Sequence, residues 1–300
     1  MITFKSLYAS ARLRSLPLSV SGILIGSAMA YCNGAFRIDI FLLALLTTIC
    51  FQLLSDFAND YGDSQKGTDN QARLGPKRAI QSGAMTLSEM KKIIGVTMII
   101  SLLSAIILIY IAFGRENIIY SLSFFVLTIM AIMAAIKYTI GRNAYGYKGL
   151  GDIFVFIFFG LISVAGSYFL YTHQLQWKVL LPASAIGMLC MAVLNLNNMR
   201  DIDNDRAMNK RTIPVILGKE LARYYHYILV LLPMLLLMAY SLLTLQLGMK
   251  TIYIIAFIPL IFHLIYVKKH INPQELDSQL KVVALSTFLI SILFFVGMFF

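Results

Sequence analysis

Two polar stretches of this sequence carry aspartate and asparagine at spacings that could hold a cation. The first is NDYGDSQKGTDN at 59–70, which follows an almost uncharged apolar run. On a helix with about 100° per residue, the side chains that share an arc of about 100° here are Asp56, Asn59, Asp60 and Asp63. The spacing therefore predicts one acidic helix face.

The second stretch is NLNNMRDIDND at 195–205. On a helix, its amides and carboxylates again share an arc of about 100°, and the members of this face are Asn197, Asn198, Asp201 and Asp205. Asp203 points to the other side of such a helix. We therefore expect Asp203 to be a solvated or cap-like carboxylate outside the site.

Carboxylate groups on two opposing faces repel each other unless a cation lies between them. Oxygen ligands without nearby histidine or cysteine favour hard ions, and Mg²⁺ often binds one or two carboxylates while it shares phosphate oxygens of a substrate. The two stretches therefore predict a Mg²⁺ site and a phosphate-bearing substrate. A second interpretation stays open at this point, namely that the carboxylates are hydrated and paired with neighbouring lysine and arginine.

Basic side chains follow each acidic stretch. Those after the first are Arg73, Lys77 and Arg78, those after the second are Arg206, Lys210 and Arg211, and further candidates on the same side are Lys66, Arg142 and Lys148. Guanidinium and ammonium groups complement phosphate oxygens directly. The mixture of acids and bases around one mouth indicates a diphosphate site more strongly than any single base does.

The elements that must position these residues are membrane helices. The chain has 300 residues, of which 59% are hydrophobic and 13% charged, whereas roughly 25% are charged in a typical soluble domain. The apolar runs that approach bilayer length are 16–35, 40–58, 93–113, 118–137, 150–171, 179–198, 224–246, 251–267 and 281–300. The sequence predicts an all-α polytopic membrane protein with about nine transmembrane helices around a cytoplasm-facing cavity, in a single domain, 1–300.

The lysine and arginine residues predict how these helices are oriented. With the N-terminus inside, 21 of the 25 basic residues fall on the inner side, so the positive-inside rule predicts a cytoplasmic N-terminus and an outer C-terminus. The two acidic stretches then follow the cytoplasmic ends of the second and sixth spans. Helices four spans apart run in the same direction, so the two faces can oppose each other like halves of a parallel repeat. Because the basic residues are dispersed among loops, we expect no nucleic-acid partner.

Four motifs resemble those of a known family. They are NDYGDSQKGTDN, RLGPKRAIQSG, YTIGRNAYGYKGLGD at 138–152 and NLNNMRDIDNDRAMNKRT. Together they resemble the intramembrane aromatic prenyltransferases of the UbiA type, and most closely the branch that uses 1,4-dihydroxy-2-naphthoate. Two positions depart from the family pattern: Asp69 follows Asp63 with a longer spacing than the common N-D-x-x-D-x-x-x-D motif has, and Arg142 stands where a proline is expected.

The resemblance implies a reaction in menaquinone biosynthesis at the bacterial cytoplasmic (inner) membrane. A polyprenyl diphosphate loses diphosphate with the help of Mg²⁺, and a ring carbon of 1,4-dihydroxy-2-naphthoate attacks the allylic cation and loses its carboxylate, which gives demethylmenaquinone. The residues it implies for the metal are Asn59, Asp60, Asp63, Asp69, Asn197, Asp201 and Asp205. The residues it implies for the substrates are Arg12, Asn59, Lys66, Arg73, Lys77, Arg78, Tyr145, Tyr147, Lys148, Asn197, Lys210 and Arg211.

Several of these expectations concern the organic substrates. An allylic cation is stabilised by aromatic faces, for which the candidates are Tyr138, Tyr145 and Tyr147. Arg12 or Arg14 is expected to pair with the naphthoate carboxylate or with the diphosphate. Asp152 is expected to orient the acceptor hydroxyl or to accept a proton, with pairing to a loop cation as the alternative. The prenyl chain requires an apolar groove that opens to the bilayer.

Two other functions remain compatible with the sequence. A divalent-cation transporter would also have apolar spans, interrupted helices and acidic residues, although its carboxylates should lie near the bilayer midplane rather than at one face. A prenyltransferase could instead use another aromatic acceptor, such as 4-hydroxybenzoate or homogentisate. The four histidines and three cysteines show no metal-ligand spacing or disulfide framework, and no role is assigned to them.

Overall fold

Helices make up most of the described chain, which comprises residues 10–12, 15–270 and 272–300 of a computed structural model. Within these ranges the chain forms no β-strand. The predicted all-α fold is therefore confirmed. Arg14, one of the two arginines that we expected to contact a substrate, lies outside the described residues.

Ten helices follow one another along the described chain, besides three 3₁₀ turns of three residues each. In chain order they are α1 Leu16–Cys32, α2 Ile38–Gln65, α3 Leu87–Phe113, α4 Ile118–Lys137, α5 Gly151–Thr172, α6 Leu180–Arg200, α7 Ile202–Ala207, α8 Ile213–Leu243, α9 Gly248–Lys269 and α10 Leu276–Gly297. Helix α5 contains wider π-helical turns over Phe156–Gly166, and α9 begins with 3₁₀ turns over Gly248–Ala256.

Eight of these helices, α2 to α6 and α8 to α10, are long and apolar enough to cross a membrane. Helix α1 is also apolar but has only 17 residues. Each of the nine predicted spans overlaps one of these nine helices, and α7 is a short connecting helix. The protein is a multi-pass membrane protein; the number of helices that cross the bilayer and their direction stay predictions.

The distribution of apolar side chains fits a helix bundle in lipid. Large apolar residues are exposed on the outside, such as Ile119, Leu235 and Phe262, which are 75%, 61% and 66% exposed.

Helix α6 lies at the centre of the bundle, where it packs against α5, α8 and α10 and buries Ile186 and Leu189 completely. Because α6 is packed on several sides, its C-terminal end holds the polar residues that follow it in a defined position.

Two helices extend further than their apolar runs. Helix α2 continues to Gln65, about two turns beyond the predicted end at 58, and then turns at Gly67, whose φ is +71°. Helix α8 begins at Ile213 instead of 224 and is interrupted at Gly218, whose φ of 82° is not helical. The extension of α2 places Asn59, Asp60 and Asp63 on the helix, as the predicted acidic face requires, whereas Asp69 lies in the loop beyond its end.

Candidate active site

The first acidic face forms as the spacing predicts. Asp56, Asp60 and Asp63 lie on the last turns of α2, and their residues are only 3%, 1% and 3% exposed. Asn59 is half-buried and lines a cavity between the helices. Isolated carboxylates are costly to bury, so each of these groups requires a hydrogen bond or a cationic partner.

Arg12 supplies part of this compensation from the segment before α1. Its Nη2 atom donates a hydrogen bond to Asp60 Oδ1, and its Nη1 atom is 3.8 Å from Asp56 Oδ1. Ser15 Oγ and Gln52 Nε2 donate to Asp56 Oδ2 at 2.9 and 3.1 Å. The prediction that Arg12 belongs to the site is consistent with this position.

Arg78 lies among three carboxylates. Its Nη1 atom is 3.0 Å from Asp60 Oδ1 and 3.3 Å from Asp63 Oδ2, and its Nε atom is 3.1 Å from Asp69 Oδ1. Arg73 Nε is 3.5 Å from the same Asp69 oxygen. Both buried oxygens of Asp69 lack a hydrogen bond with good geometry, so these contacts are ion pairs only. The longer spacing of Asp69 thus still brings it beside Asp63.

The second acidic face differs from its prediction. Helix α6 ends at Arg200, Asp201 joins it to α7 with φ −98° and ψ 13°, and Asp205 lies on α7. The stretch 195–205 is therefore not one continuous helix, and the expectation of a single helical face was wrong. Asp201 and Asp205 are nevertheless both buried, at 5% and 3% exposure. Asp203 is exposed and pairs with Lys219 at 2.9 Å, as expected for a solvated carboxylate.

Arg200 belongs to the site although sequence reasoning counted it only as an inner-side charge. Its side chain is 0% exposed. Its Nη2 atom donates to Asp201 Oδ2 at 2.6 Å and to Asn197 Oδ1 at 2.8 Å, and its Nη1 atom donates to Asp277. The available signal was an arginine directly before the aspartate of the motif. Asp277 gave no signal, because it lies 77 residues further along the chain.

The structure brings the two acidic stretches together, as predicted. Lys210 Nζ lies 3.8 Å from Asp63 Oδ1 and 3.9 Å from Asp205 Oδ1. Arg73 joins the stretches in the same way, because its Nε atom is 3.8 Å from Asp201 Oδ2 as well as near Asp69. The backbone nitrogen of Leu74 also donates to Asp201 Oδ1 at 3.1 Å.

Gly75 allows this loop to approach the arginines. A Cβ atom at this position would lie 2.5 Å from Arg200 Nη2 and 2.7 Å from Arg73 Nη2. Both guanidinium groups are held by carboxylates and have little freedom to move away. The absence of a side chain at Gly75 is therefore a geometric requirement of this arrangement.

Tyr147 occupies a different place from the other two tyrosines. Its hydroxyl donates to Asp63 Oδ1 at 2.8 Å and accepts from Thr68 Oγ1 at 2.5 Å. The ammonium groups of Lys66 and Lys210 lie 3.9 and 5.2 Å from the centre of its ring. The ring face of Tyr147 is therefore engaged with lysine rather than turned to the apolar cavity.

Tyr138 and Tyr145 both line the cavity, with their ring centres 5.2 Å apart in an edge-to-face arrangement. Asp152 is buried and accepts a hydrogen bond from Tyr225 at 2.9 Å. The alternative that we considered for Asp152, pairing with a loop cation, is not what the structure shows. Tyr225 was missed because it lies 73 residues beyond Asp152 along the chain, and no spacing joins the two.

Some of the predicted basic residues lie apart from the ion-pair network. Lys77, Arg211 and Lys148 are exposed, and Lys148 Nζ contacts Asn143 at 3.0 Å. Arg142 and Arg206 are exposed as well. The structure therefore brings Arg12, Arg73, Arg78 and Lys210 to the carboxylates and leaves these five at the surface.

The electrostatic surroundings change the pKa of groups in the polar loops. Burial raises the pKa of Asp205 to about 6, with Lys210 acting in the opposite direction. Burial also opposes the charged form of Asp201, but the hydrogen bonds and charge of Arg200 hold its pKa below the ordinary value. For Arg73, burial and the neighbouring charge of Arg78 lower the pKa to about 10. The two buried carboxylates of the second stretch thus differ, since the pKa of Asp201 is lowered and that of Asp205 is raised.

Ion pairs connect seven carboxylates and five cations of the described residues into one network. The carboxylates are Asp56, Asp60, Asp63, Asp69, Asp201, Asp205 and Asp277, and the cations are Arg12, Arg73, Arg78, Arg200 and Lys210. Seven negative and five positive groups leave a formal excess of two negative charges. The charge of one divalent cation would neutralise this excess.

The donor set also fits Mg²⁺, since it offers carboxylate and amide oxygens without histidine or cysteine. In the described part of the chain, however, no three histidine, cysteine, aspartate or glutamate side chains converge on a point that could hold a metal ion. Arginine and lysine groups lie between the carboxylates instead. The interpretation that the acids pair with neighbouring bases therefore describes this arrangement, while the charge excess leaves room for a divalent ion.

An apolar cavity of about 330 Å³ opens beside the network, between helices α1 to α5 and with Leu194 of α6 in its wall. Asp56 and Asn59 line its polar end together with Tyr138, and the remaining lining includes Leu127 and Phe158. A charged group and an apolar group of one ligand could therefore be accommodated side by side. Fold and site together define a multi-pass membrane protein with a buried ionic network at the mouth of an apolar cavity.

Comparison with known proteins specifies this class. The chain belongs to the UbiA prenyltransferase family, whose model matches residues 19–295. A Haemophilus influenzae protein named 1,4-dihydroxy-2-naphthoate octaprenyltransferase is 42% identical over 296 residues, which cover 98% of this chain and 96% of the relative. An Escherichia coli protein of the same name is 39% identical over 290 residues, which cover 97% and 94%.

The solved structures agree on the fold. A UbiA homolog from Archaeoglobus fulgidus, described as bound to GPP and Mg²⁺, is similar to this chain with a TM-score of 0.66 and 16% sequence identity. The match covers 98% of this chain and 98% of the homolog. At this identity the likeness concerns the arrangement of the helices.

Proposed function

We propose that this protein transfers a polyprenyl group from polyprenyl diphosphate to 1,4-dihydroxy-2-naphthoate, with loss of diphosphate and CO₂, to give the quinol form of demethylmenaquinone in menaquinone biosynthesis. The observation that carries the proposal is 42% identity over 98% of the chain to a relative named for this acceptor. The ionic network beside an apolar cavity supports it, because the donor has a polyanionic head and a long apolar chain.

Mg²⁺ and the diphosphate belong together in this proposal. The residues proposed to hold the ion are Asn59, Asp60, Asp63, Asp69, Asn197, Asp201 and Asp205. When bound, Mg²⁺ would neutralise negative charge that grows on the departing diphosphate. The excess of two negative charges in the network supports this role, as does the Archaeoglobus homolog described as bound to GPP and Mg²⁺.

The basic groups are proposed to bind the diphosphate oxygens. Arg78 and Lys210 each lie between carboxylates of the site, so either can exchange a carboxylate contact for a phosphate oxygen when the substrate enters. Arg73 and Lys66 are proposed to assist them. The exposed residues Lys77, Lys148 and Arg211 are proposed to attract the diphosphate from a longer distance.

The cavity is proposed to hold the allylic end of the donor against the acceptor ring. The bond between the allylic carbon and the diphosphate oxygen breaks, and its electron pair leaves with diphosphate. The aromatic faces of Tyr138 and Tyr145 stabilise the positive charge that remains. A ring carbon of the naphthoate donates an electron pair to form the new carbon–carbon bond. Its carboxylate then leaves as CO₂ and returns an electron pair to the ring, which gives the quinol form of demethylmenaquinone.

Arg12 and Asp152 have proposed roles toward the acceptor. Arg12 lies beside Asp56, which lines the cavity, and we propose that its guanidinium binds the naphthoate carboxylate or the diphosphate. Asp152 is proposed to orient the acceptor hydroxyl or to take up a proton, with Tyr225 as its hydrogen-bond partner.

We further propose that the chain forms a single domain in the bacterial cytoplasmic membrane, with the N-terminus inside.

The test is an assay of purified protein with 1,4-dihydroxy-2-naphthoate, a polyprenyl diphosphate and Mg²⁺, in which the product mass is determined with and without EDTA. We expect the mass of the quinol form of demethylmenaquinone, or that of the quinone after oxidation in air, and neither mass with EDTA. A parallel reaction with 4-hydroxybenzoate should give little product. If 4-hydroxybenzoate were the better acceptor, the proposed substrate would be wrong, and if no aromatic acceptor gave product, a divalent-cation transporter would become the better explanation.

A further inference from the structure

Asp277 connects the last helix to the proposed metal site through a buried arginine. It lies on the first turn of α10, and its side chain is 38% exposed. The Nη1 atom of Arg200 donates a hydrogen bond to its Oδ1 atom. The side chain of Arg200 is 0% exposed, so Asp277 contacts it from the solvent-accessible side.

The three nitrogens of the Arg200 guanidinium group donate to two sets of acceptors, Asp277 on one side and Asp201 with Asn197 on the other. Nη1 is used for Asp277. Nε and Nη2 both donate to Asp201, at 3.3 and 2.6 Å, and Nη2 also donates to Asn197 at 2.8 Å. Because a guanidinium group is planar and its donors have fixed directions, fixing Nη1 also fixes the nitrogens that face Asp201.

We propose that Asp277 is a positioning residue for the divalent-cation site, which acts through Arg200 on Asp201. The inference rests on the proposed function, because that function places a cation at Asp201. Asp277 shares the positive charge of Arg200 and thereby leaves the Asp201 carboxylate available to the cation. Without Asp277, the buried guanidinium would direct its whole charge to Asp201 and compete with the cation more strongly.

Other contacts keep Asp201 in place when Asp277 is changed. The backbone nitrogen of Leu74 donates to Asp201 Oδ1 at 3.1 Å, and Arg73 Nε lies 3.8 Å from Oδ2. These contacts come from the loop after α2 and do not involve α10. A change at Asp277 is therefore expected to alter charge sharing around Asp201 rather than the course of the chain.

The experiment measures Mn²⁺ binding by electron paramagnetic resonance, with the full-length detergent-solubilised protein and inorganic diphosphate. The variants are Asp277→Asn, which removes the charge at nearly constant shape, and Asp277→Glu, which restores it. Asp203→Asn is the matched control, because it removes an exposed carboxylate from the same polar region and breaks only the pair with Lys219.

We expect Asp277→Asn to weaken Mn²⁺ binding about tenfold, as is usual when an outer partner of a metal ligand is lost. Asp277→Glu should restore most of the affinity, and Asp203→Asn should bind like the unchanged protein. In a background with Arg200→Gln, the Asp277→Asn change should have no further effect on Mn²⁺ affinity. A merely structural role of Asp277 would lower thermal stability in both backgrounds and would not produce this dependence on Arg200.

Equal Mn²⁺ affinity of Asp277→Asn and Asp203→Asn would overturn the inference, as would an equal loss in the Arg200→Gln background. If Asp277→Asn yields too little folded protein, Asp277→Ser in the same two backgrounds gives the same comparison. Product formation by the unchanged protein is measured separately. Absence of prenylated product with an Asp277-dependent Mn²⁺ site would contradict only the proposed function, whereas product formation with an Asp277-independent site would contradict only this inference.

Discussion

Replacing Arg78 with glutamine removes a guanidinium group that contacts three carboxylates. The side chain of Arg78 is 10% exposed, and its partners Asp60, Asp63 and Asp69 are between 1% and 4% exposed. Glutamine keeps hydrogen-bonding capacity but no charge. The substitution therefore raises the formal negative excess of the network from two to three charges.

The magnitude follows from the contacts that remain. Removing one partner of a buried ion pair costs about 3–5 kcal/mol. Arg12 still contacts Asp60, Lys210 still contacts Asp63, and Arg73 still contacts Asp69. We therefore expect the free energy of unfolding to fall by about 3 kcal/mol, the lower end of that range. With about 2–4 °C of Tm per kcal/mol for a chain of roughly this size, Tm should fall by about 6–12 °C.

The assay is thermal unfolding of the detergent-solubilised protein with and without Mg²⁺. Because the variant has one more uncompensated negative charge, it should bind free Mg²⁺ more tightly, and at ten times Kd the ion would restore about 1.4 kcal/mol. Arg142→Gln is the matched control, since Arg142 is exposed and lies apart from the network.

Two results would refute the reasoning about Arg78. The first is a Tm for Arg78→Gln that equals that of Arg142→Gln, since the buried ion pairs would then contribute nothing measurable. The second is an Mg²⁺-induced rise in Tm no larger than that of the unchanged protein. In that case the guanidinium group would not occupy the region in which a cation binds.

Three further changes test other parts of the site and bundle. Asp60→Asn should lower turnover by at least about 10²–10³-fold with unchanged helix content by circular dichroism, and activity within a few-fold of the unchanged protein would remove Asp60 from the metal site. Gly75→Ala should lower kcat/KM about tenfold to a hundredfold because its Cβ displaces two guanidinium groups; Gly95→Ala, which meets nothing within 4 Å, is its control and should be silent. His226 Nε2 and His263 Nε2 are 2.7 Å apart in the buried bundle, so single leucine substitutions should each destabilise, and a double-mutant cycle in thermal unfolding should give a coupling of about 0.6–1.7 kcal/mol. Strict additivity would show that this hydrogen bond contributes nothing.

The positions of the helices could be predicted from the sequence because each long apolar run has one low-energy state in a bilayer, a helix. The ends of the helices could not be predicted equally well. Helix α2 continues to Gln65 because ion pairs to Arg12, Arg78 and Lys210 compensate its carboxylates. A criterion based on apolar length ends the second span at 58, before the cluster Asn59 to Asp63, because it takes no account of partners from distant segments.

The acidic stretches could be assigned to one site because their residue types and spacing indicate a shared chemistry. The bend at Asp201 could not be predicted, since neither glycine nor proline marks it and the backbone nitrogen that contacts its carboxylate belongs to Leu74, 127 residues earlier in the chain. The Arg200–Asp277 pair joins residues 77 positions apart, and no periodicity reports such a contact. His226 and His263 did carry a signal, since ionisable residues in apolar spans usually have a role.

The central claim is that this chain joins a prenyl group to 1,4-dihydroxy-2-naphthoate and that diphosphate and CO₂ are released. The most direct measurement uses naphthoate labelled with ¹³C in its carboxyl group, with polyprenyl diphosphate and Mg²⁺, and follows product mass and labelled CO₂ together. The account predicts one labelled CO₂ for each demethylmenaquinone formed, and neither product with EDTA. A prenylated product that retains the labelled carboxyl group, or no prenylated product at all, would contradict it.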